Sequence, residues 1–189
     1  MSRSNSRSAL AARTGPYPMG LMVVLATVTM LFSAFVSAVL VRRSGADWEP
    51  LRVPPVLWYN TVALVVSSLF VESSRRALRD GRLDLAVRQL GIGAGLGLVF
   101  VIGQAFAWFQ LAAWGLALRS GPHVAFFYVL SVLHALHLTA GLAALGWTLR
   151  RLASGAYSPA RHRGLTHAAV FWHFLGGTWL YLFAALLVL

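Results

Sequence analysis

Three histidines, His134, His137 and His173, lie inside long apolar runs, where imidazole is the side chain best suited to ligate a metal, hold a haem or pass a proton. His134 and His137 are three residues apart and share one helical face, and His137 falls near the middle of its run. An i, i+3 pair on one helix does not normally supply the two opposite axial ligands of one haem, so ligation calls for His173 or a partner chain. The competing use is packing, with each ring bonded to a backbone carbonyl or to Ser131, Thr139 or Thr178 across a helix interface. Burial favours packing, because buried polar side chains are normally satisfied by hydrogen bonds. A proton path is the third use, weakened because no Asp, Glu or Arg falls within the cores of the apolar runs. His167 lies near the end of a run, and His123 and His162 lie in loops.

Other chemistry is largely excluded. The chain has no cysteine, which removes disulfides, thiolate metal sites and iron–sulfur clusters. It has no nucleotide-binding glycine loop, no Ser/His/Asp arrangement and no HExxH motif. Asn60 and Gln104 are amides deep in apolar runs; they are expected to bond to neighbouring helices and neither is catalytic by itself.

The elements that must position these groups follow from composition. Of 189 residues, 58% are hydrophobic and 11% charged, against about a quarter charged in a soluble domain. Five apolar runs, 19–41, 54–71, 90–113, 125–149 and 164–188, are each long enough to cross a membrane. The reading is an all-α membrane protein, a bundle of five transmembrane helices, with a polar tail over residues 1–17 and one membrane domain over 18–189. The first run has no small-residue cleavage site before its polar stop and is expected to be a retained anchor. The second opens at Pro54-Pro55 and is expected to continue helically through Glu72 to Leu78, turning at Asp80-Gly81. Glu72 precedes Arg75 and Arg76 by three and four residues on one face, a pairing expected at a solvated helix end.

All 16 basic residues are arginine, and with 5 acids they give a net charge of +11. Arg3, Arg7, Arg13, Arg75, Arg76, Arg79, Arg82, Arg88, Arg150, Arg151, Arg161 and Arg163 fall on one side of the spans; Arg42, Arg43, Arg52 and Arg119 fall on the other. That asymmetry puts the N-terminus in the cytoplasm and the C-terminus outside, in the periplasm. Basic residues flanking apolar runs suit anionic lipid and not nucleic acid. Gly91, Gly95 and Gly93, Gly97 have the four-residue spacing of close helix contacts. Trp58, Tyr59, Trp108, Trp114, Trp147, Trp172 and Tyr181 are expected mostly at span ends, as an interfacial belt.

The order of the motifs in spans two to five resembles subunit III of the haem-copper terminal oxidases. The matching pieces begin with Val53-Pro54, Asn60-Thr61, Ser67-Ser68 and Gly103-Gln104-Ala105. They continue with Phe126-Phe127, then His134-Ala135-Leu136-His137 with Gly141, which is similar to an FHxxH-type segment with Leu133 at its Phe. Phe171-Trp172-His173-Phe174, followed by Trp179 and Leu180, is similar to a YWHFxxxxWL ending. The resemblance implies a five-helix form of a fold that has seven helices in many relatives, with the first two missing. It implies no catalytic residue, haem or copper in this chain, which would serve a cytochrome c or quinol oxidase with electron transfer and oxygen reduction in subunit I and, in cytochrome c oxidases, electron entry through subunit II. The implied role is to hold phospholipid, protect the catalytic subunit and sustain proton uptake in aerobic electron transport. Asn60, Thr61, Gln104, His134, His137, Gly141, Trp172 and His173 become motif and packing positions.

The chain departs from the family pattern at its carboxylates. Val28 stands four residues before Phe32 where many relatives have Glu, Phe106-Ala107 stands where they have Ser-Glu, and Thr166 stands near a further Glu. These losses weaken a proton-handling role. The alternatives are a stand-alone b-type cytochrome or haem-bearing anchor using His134 or His137 with His173, and the similar partner of a nitric oxide reductase.

Overall fold

The computed structural model describes residues 19–45, 48, 53–158 and 162–188; the polar tail over 1–17 lies outside the described residues. Among the described residues five helices follow one another: α1 (Met19–Arg42), α2 (Val56–Arg79), α3 (Leu83–Ala113), α4 (Pro122–Ala153) and α5 (Arg163–Val188). All five are long and apolar enough to cross a membrane. Helices α3 and α4 have 31 and 32 residues, about 45 Å and more at 1.5 Å per residue, and so project well past a hydrocarbon core of roughly 30 Å. The apolar run at 90–113 covers only part of α3. The helix itself starts at Leu83, with Asp84 in its first turn, because backbone hydrogen bonding continues where hydropathy stops.

Glycine ends α2, α3 and α4 in the same way. At the first, Gly81 has φ +76°, and its N–H and that of Arg82 donate to the carbonyls of Leu78 (3.1 Å) and Ala77 (2.9 Å). This Schellman closure satisfies terminal carbonyls and needs a left-handed residue that only glycine adopts cheaply. Gly115 and Gly155 repeat it after α3 and α4. Short connections then leave α2 to α5 antiparallel in sequence order.

Helices α2, α3, α4 and α5 form a closed ring, each packed on the next and α5 back on α2, while α1 lies outside against α4 and α5. Close approach inside the ring depends on small residues. A Cβ at Gly93 would meet Val71 Cγ2 at 2.9 Å and the Ser67 carbonyl at 3.2 Å, and one at Gly97 would run into the Trp172 indole. Gly91 and Gly95 meet nothing within 4 Å. Of the two glycine spacings, 93/97 is thus the internal seam and 91/95 faces outward. Phe100, Phe127, Trp172 and Trp179 fill the centre.

Candidate functional site

Three indole N–H groups are tied across helices by hydroxyls. Two tryptophans seven residues apart on α5 reach the same side of α2. Trp172 Nε1 donates to Ser67 Oγ at 3.1 Å, and that hydroxyl donates to the Gly93 carbonyl of α3 at 2.6 Å. Trp179 Nε1 donates to Thr61 Oγ1 at 3.0 Å, which donates to the Leu57 carbonyl at 2.7 Å. Trp108 of α3 donates to Ser131 of α4 at 2.9 Å. Each hydroxyl donates and accepts at once, so an indole N–H is satisfied without water. Trp172 is therefore not part of an interfacial belt. It is fully buried on Gly97 and Gly141, whereas Trp58, Tyr59, Trp114, Trp147 and Tyr181 are exposed.

The three apolar-run histidines occupy separate settings. His134 is completely buried among rings, with centroid distances of 5.2 Å to Trp179, 6.0 Å to Phe32 and 6.2 Å to Phe100. His137 Nδ1 donates to its own helix at the Leu133 carbonyl, 2.7 Å away, and its ring meets Phe32 at 5.7 Å. His173 is half-buried on the α2–α5 seam. Its Nδ1 shares a hydrogen bond of 2.9 Å with Ser68 Oγ, and its Nε2 lies 3.6 Å from Glu72 Oε2.

The partners proposed from sequence for these rings are used elsewhere. Ser131 holds Trp108, and Thr139 and Thr178 back-bond to Ala135 and Phe174 within their own helices. His173 sits six residues before Trp179, roughly 9 Å of helical rise, and so belongs to a different level from His134. The imidazoles of α4 and α5 do not converge, and among the described residues no three His, Asp or Glu side chains are placed to hold a metal ion.

Glu72 is the residue whose role the sequence concealed. Its pairing with Arg75 (2.7 Å) and Arg76 (3.5 Å) follows from the spacing, but the contact with His173 joins residues over a hundred positions apart. A glutamate every third or fourth residue before arginine reads as a solvated helix end, and nothing local signals a facing imidazole. Asn60 lies against Gly103, where a Cβ would overlap its carboxamide, and Gln104 is buried on the same helix. Gly141 admits Leu175 and Trp172, which a Cβ would meet at 2.8 and 3.3 Å.

This arrangement can lock four helices in register. Residues 11–188 match the family described as Cytochrome c oxidase subunit III. The chain belongs to the cytochrome c oxidase subunit III family. It is similar to the cytochrome c oxidase subunit 3 of Thermostichus vulcanus, at 30% identity over 90% of this chain and 86% of that protein. It is also similar to that of Synechocystis sp., at 29% over 87% and 72%. A third relative, that of Corynebacterium diphtheriae, is 26% identical over 94% and 90% of the two chains. As a subunit III, the chain serves a haem-copper oxidase, and it is an integral, multi-pass membrane protein. Of its motif residues, Asn60, Thr61, Gly141, Trp172 and His173 fall on the hydroxyl ties and glycine seats just described, whereas Gln104, His134 and His137 do not.

Proposed function

We propose that the chain is the non-catalytic subunit III of a bacterial oxidase in the cytoplasmic membrane, carries no redox centre, and stabilises the oxygen-reducing, proton-translocating subunit I beside subunit II. The observation that carries this reading is the separation of the histidines: His134 is enclosed by three aromatic rings, while His173 is engaged one level away by Ser68 and Glu72. A bis-histidine b-type haem needs two imidazoles facing one iron. The N-terminus is cytoplasmic in this reading, which the arginines at the α2–α3 and α4–α5 connections support. Subunit I meets the outward Gly91/Gly95 strip, where a partner backbone can approach closely.

Phospholipid occupies a groove of about 540 Å³ between α1, α4 and α5, lined by Leu21, Val24, Trp147, Tyr157, His167 and Phe171. Arg151 lies 5.7 Å above the Tyr157 ring at its edge, a cation beside an apolar trough, as an anionic headgroup with acyl chains requires. The test is a reduced-minus-oxidised spectrum of the chain purified alone and with its native complex. The expected result is haem absorbance only in the complex. A stoichiometric Soret band in the isolated chain, or failure to co-purify with a haem-bearing core, overturns the proposal.

A further inference from the structure

One level of the four-helix ring carries more hydrogen-bonding capacity than its protein neighbours satisfy. Gln104 is 1% exposed and His134 0%, and neither amide atom of the first nor ring nitrogen of the second has a partner; Asn60, 4% exposed, has an unpartnered Nδ2. The register of the helices brings the three together. Phe100, Gln104 and Trp108 are four residues apart on one face of α3. Phe100 meets the His134 ring, and Trp108 bonds to Ser131, one turn before His134 on α4. Gln104 lies between those two contacts and so faces the turn of α4 that carries His134. From α2, the Asn60 carboxamide rests on Gly103, the neighbour of Gln104. The fourth helix closes the level with Trp179, whose N–H is already committed to Thr61.

Orphaned groups of this kind are costly in a bilayer, where no bulk solvent reaches them. The identity of the orphans defines what completes them. A neutral imidazole offers one donor and one acceptor, a glutamine amide offers both, and the asparagine Nδ2 offers a donor. An apolar molecule satisfies none of these, and no charged side chain is among them to favour an ion. A water molecule donates two bonds, accepts two, and is held inside proteins by two to four such partners. We propose that this level is an internal hydration site, in which at least one ordered water bridges Gln104 and His134 and extends the network to Asn60. Its role is to bond α3 to α4 at a depth where indole–hydroxyl ties bond α2 to α5.

The experiment uses the full chain in lipid bilayers, labelled with 15N-histidine, and measures polarisation transfer from water protons to imidazole nitrogens by solid-state NMR. Transfer to His134, assigned by its loss in His134→Phe and lowered in Gln104→Met, is the expected result. Transfer to the loop histidine His162 with none to His134 overturns the proposal. A second measurement needs no variant: a density map of the oxidase complex sharp enough to show internal solvent. It is expected to show a peak between the Gln104 amide and the His134 ring. A direct Gln104–His134 bond with no solvent peak at that level, while other internal waters are visible, equally overturns it.

Discussion

Replacing Gly97 and Gly95 by alanine separates seam from surface within one helix. A methyl at 97 has its nearest neighbours at 2.5 and 2.7 Å in the Trp172 ring, and the flexible Leu142 Cδ1 follows at 3.3 Å. The indole is fully buried and bonded to Ser67, so it can move only by straining its neighbours and stretching that bond. Overpacking of this kind costs about 1–3 kcal/mol, and a weakened buried hydrogen bond adds about 1 kcal/mol. The gain in helix propensity from Gly to Ala offsets at most about 1 kcal/mol. Gly97→Ala is therefore expected to lose about 1–3 kcal/mol. Gly95→Ala meets nothing within 4 Å and is expected to be neutral, or more stable by up to about 1 kcal/mol. Unfolding of the isolated chain in mixed micelles, followed by tryptophan fluorescence during titration with a denaturing detergent, reads both. Equal destabilisation by the two variants, or a neutral Gly97→Ala, refutes the assignment of Gly93/Gly97 as the internal seam.

Glu72→Gln leaves Arg75, 16% exposed and 2.7 Å from the carboxylate, without its counter-charge; a loss of about 1–3 kcal/mol is expected, with Arg76→Ala, mostly exposed, as a near-neutral control in the same detergent-unfolding assay. Arg151→Ala is expected to lower the anionic phospholipid retained by the purified protein, read by lipid mass spectrometry; unchanged retention removes the groove from the proposal. Because the chain contains no cysteine, single cysteines can report sidedness cleanly: Ser158→Cys is expected to react with a membrane-impermeant thiol reagent only from the cytoplasmic side, and Leu118→Cys only from outside. Reversed labelling rejects the orientation. Gly95→Leu is expected to reduce co-purification with the oxidase core several-fold, while the isolated subunit still folds.

The number of helices was legible because each apolar run is punctuated by charge, and the turn at Asp80-Gly81 was legible because glycine after a charged last turn has few other uses. Helix ends were less so: hydropathy begins α3 at Leu90, but hydrogen bonding begins it at Leu83. The glycine pairs show the limit of spacing. Gly91/Gly95 and Gly93/Gly97 are indistinguishable as patterns, and only rotation about the helix axis decides which pair faces Val71 and Trp172. The histidines show the same limit over longer range. His134 and His137 share a face as their spacing requires, yet one ring is enclosed by aromatics and the other bonds to its own helix. His173 looked like their third member because all three are imidazoles in apolar runs. Its actual partners, Ser68 and Glu72, are on α2, and no local pattern connects them.

Helices inside a bilayer gain little from burying apolar side chains against one another, since lipid tails are equally apolar, so association depends on close packing and on a few polar bonds. This subunit uses both at shared positions. Ser67 lies beside Gly93 and receives Trp172, and Trp172 in turn lies on Gly97 and Gly141, so one indole joins α2, α3, α4 and α5. Two turns further along α5, Trp179 joins α2 through Thr61 and contacts His134 of α4 and Phe100 of α3. Sliding α5 by one residue against α2 would strain both indole bonds together, because both donors sit on one helix and both acceptors on the other. A bundle fixed at two levels in this way resists register slips that apolar packing alone would tolerate. That rigidity follows from Thr61 and Ser67 on one helix receiving Trp179 and Trp172 from the other.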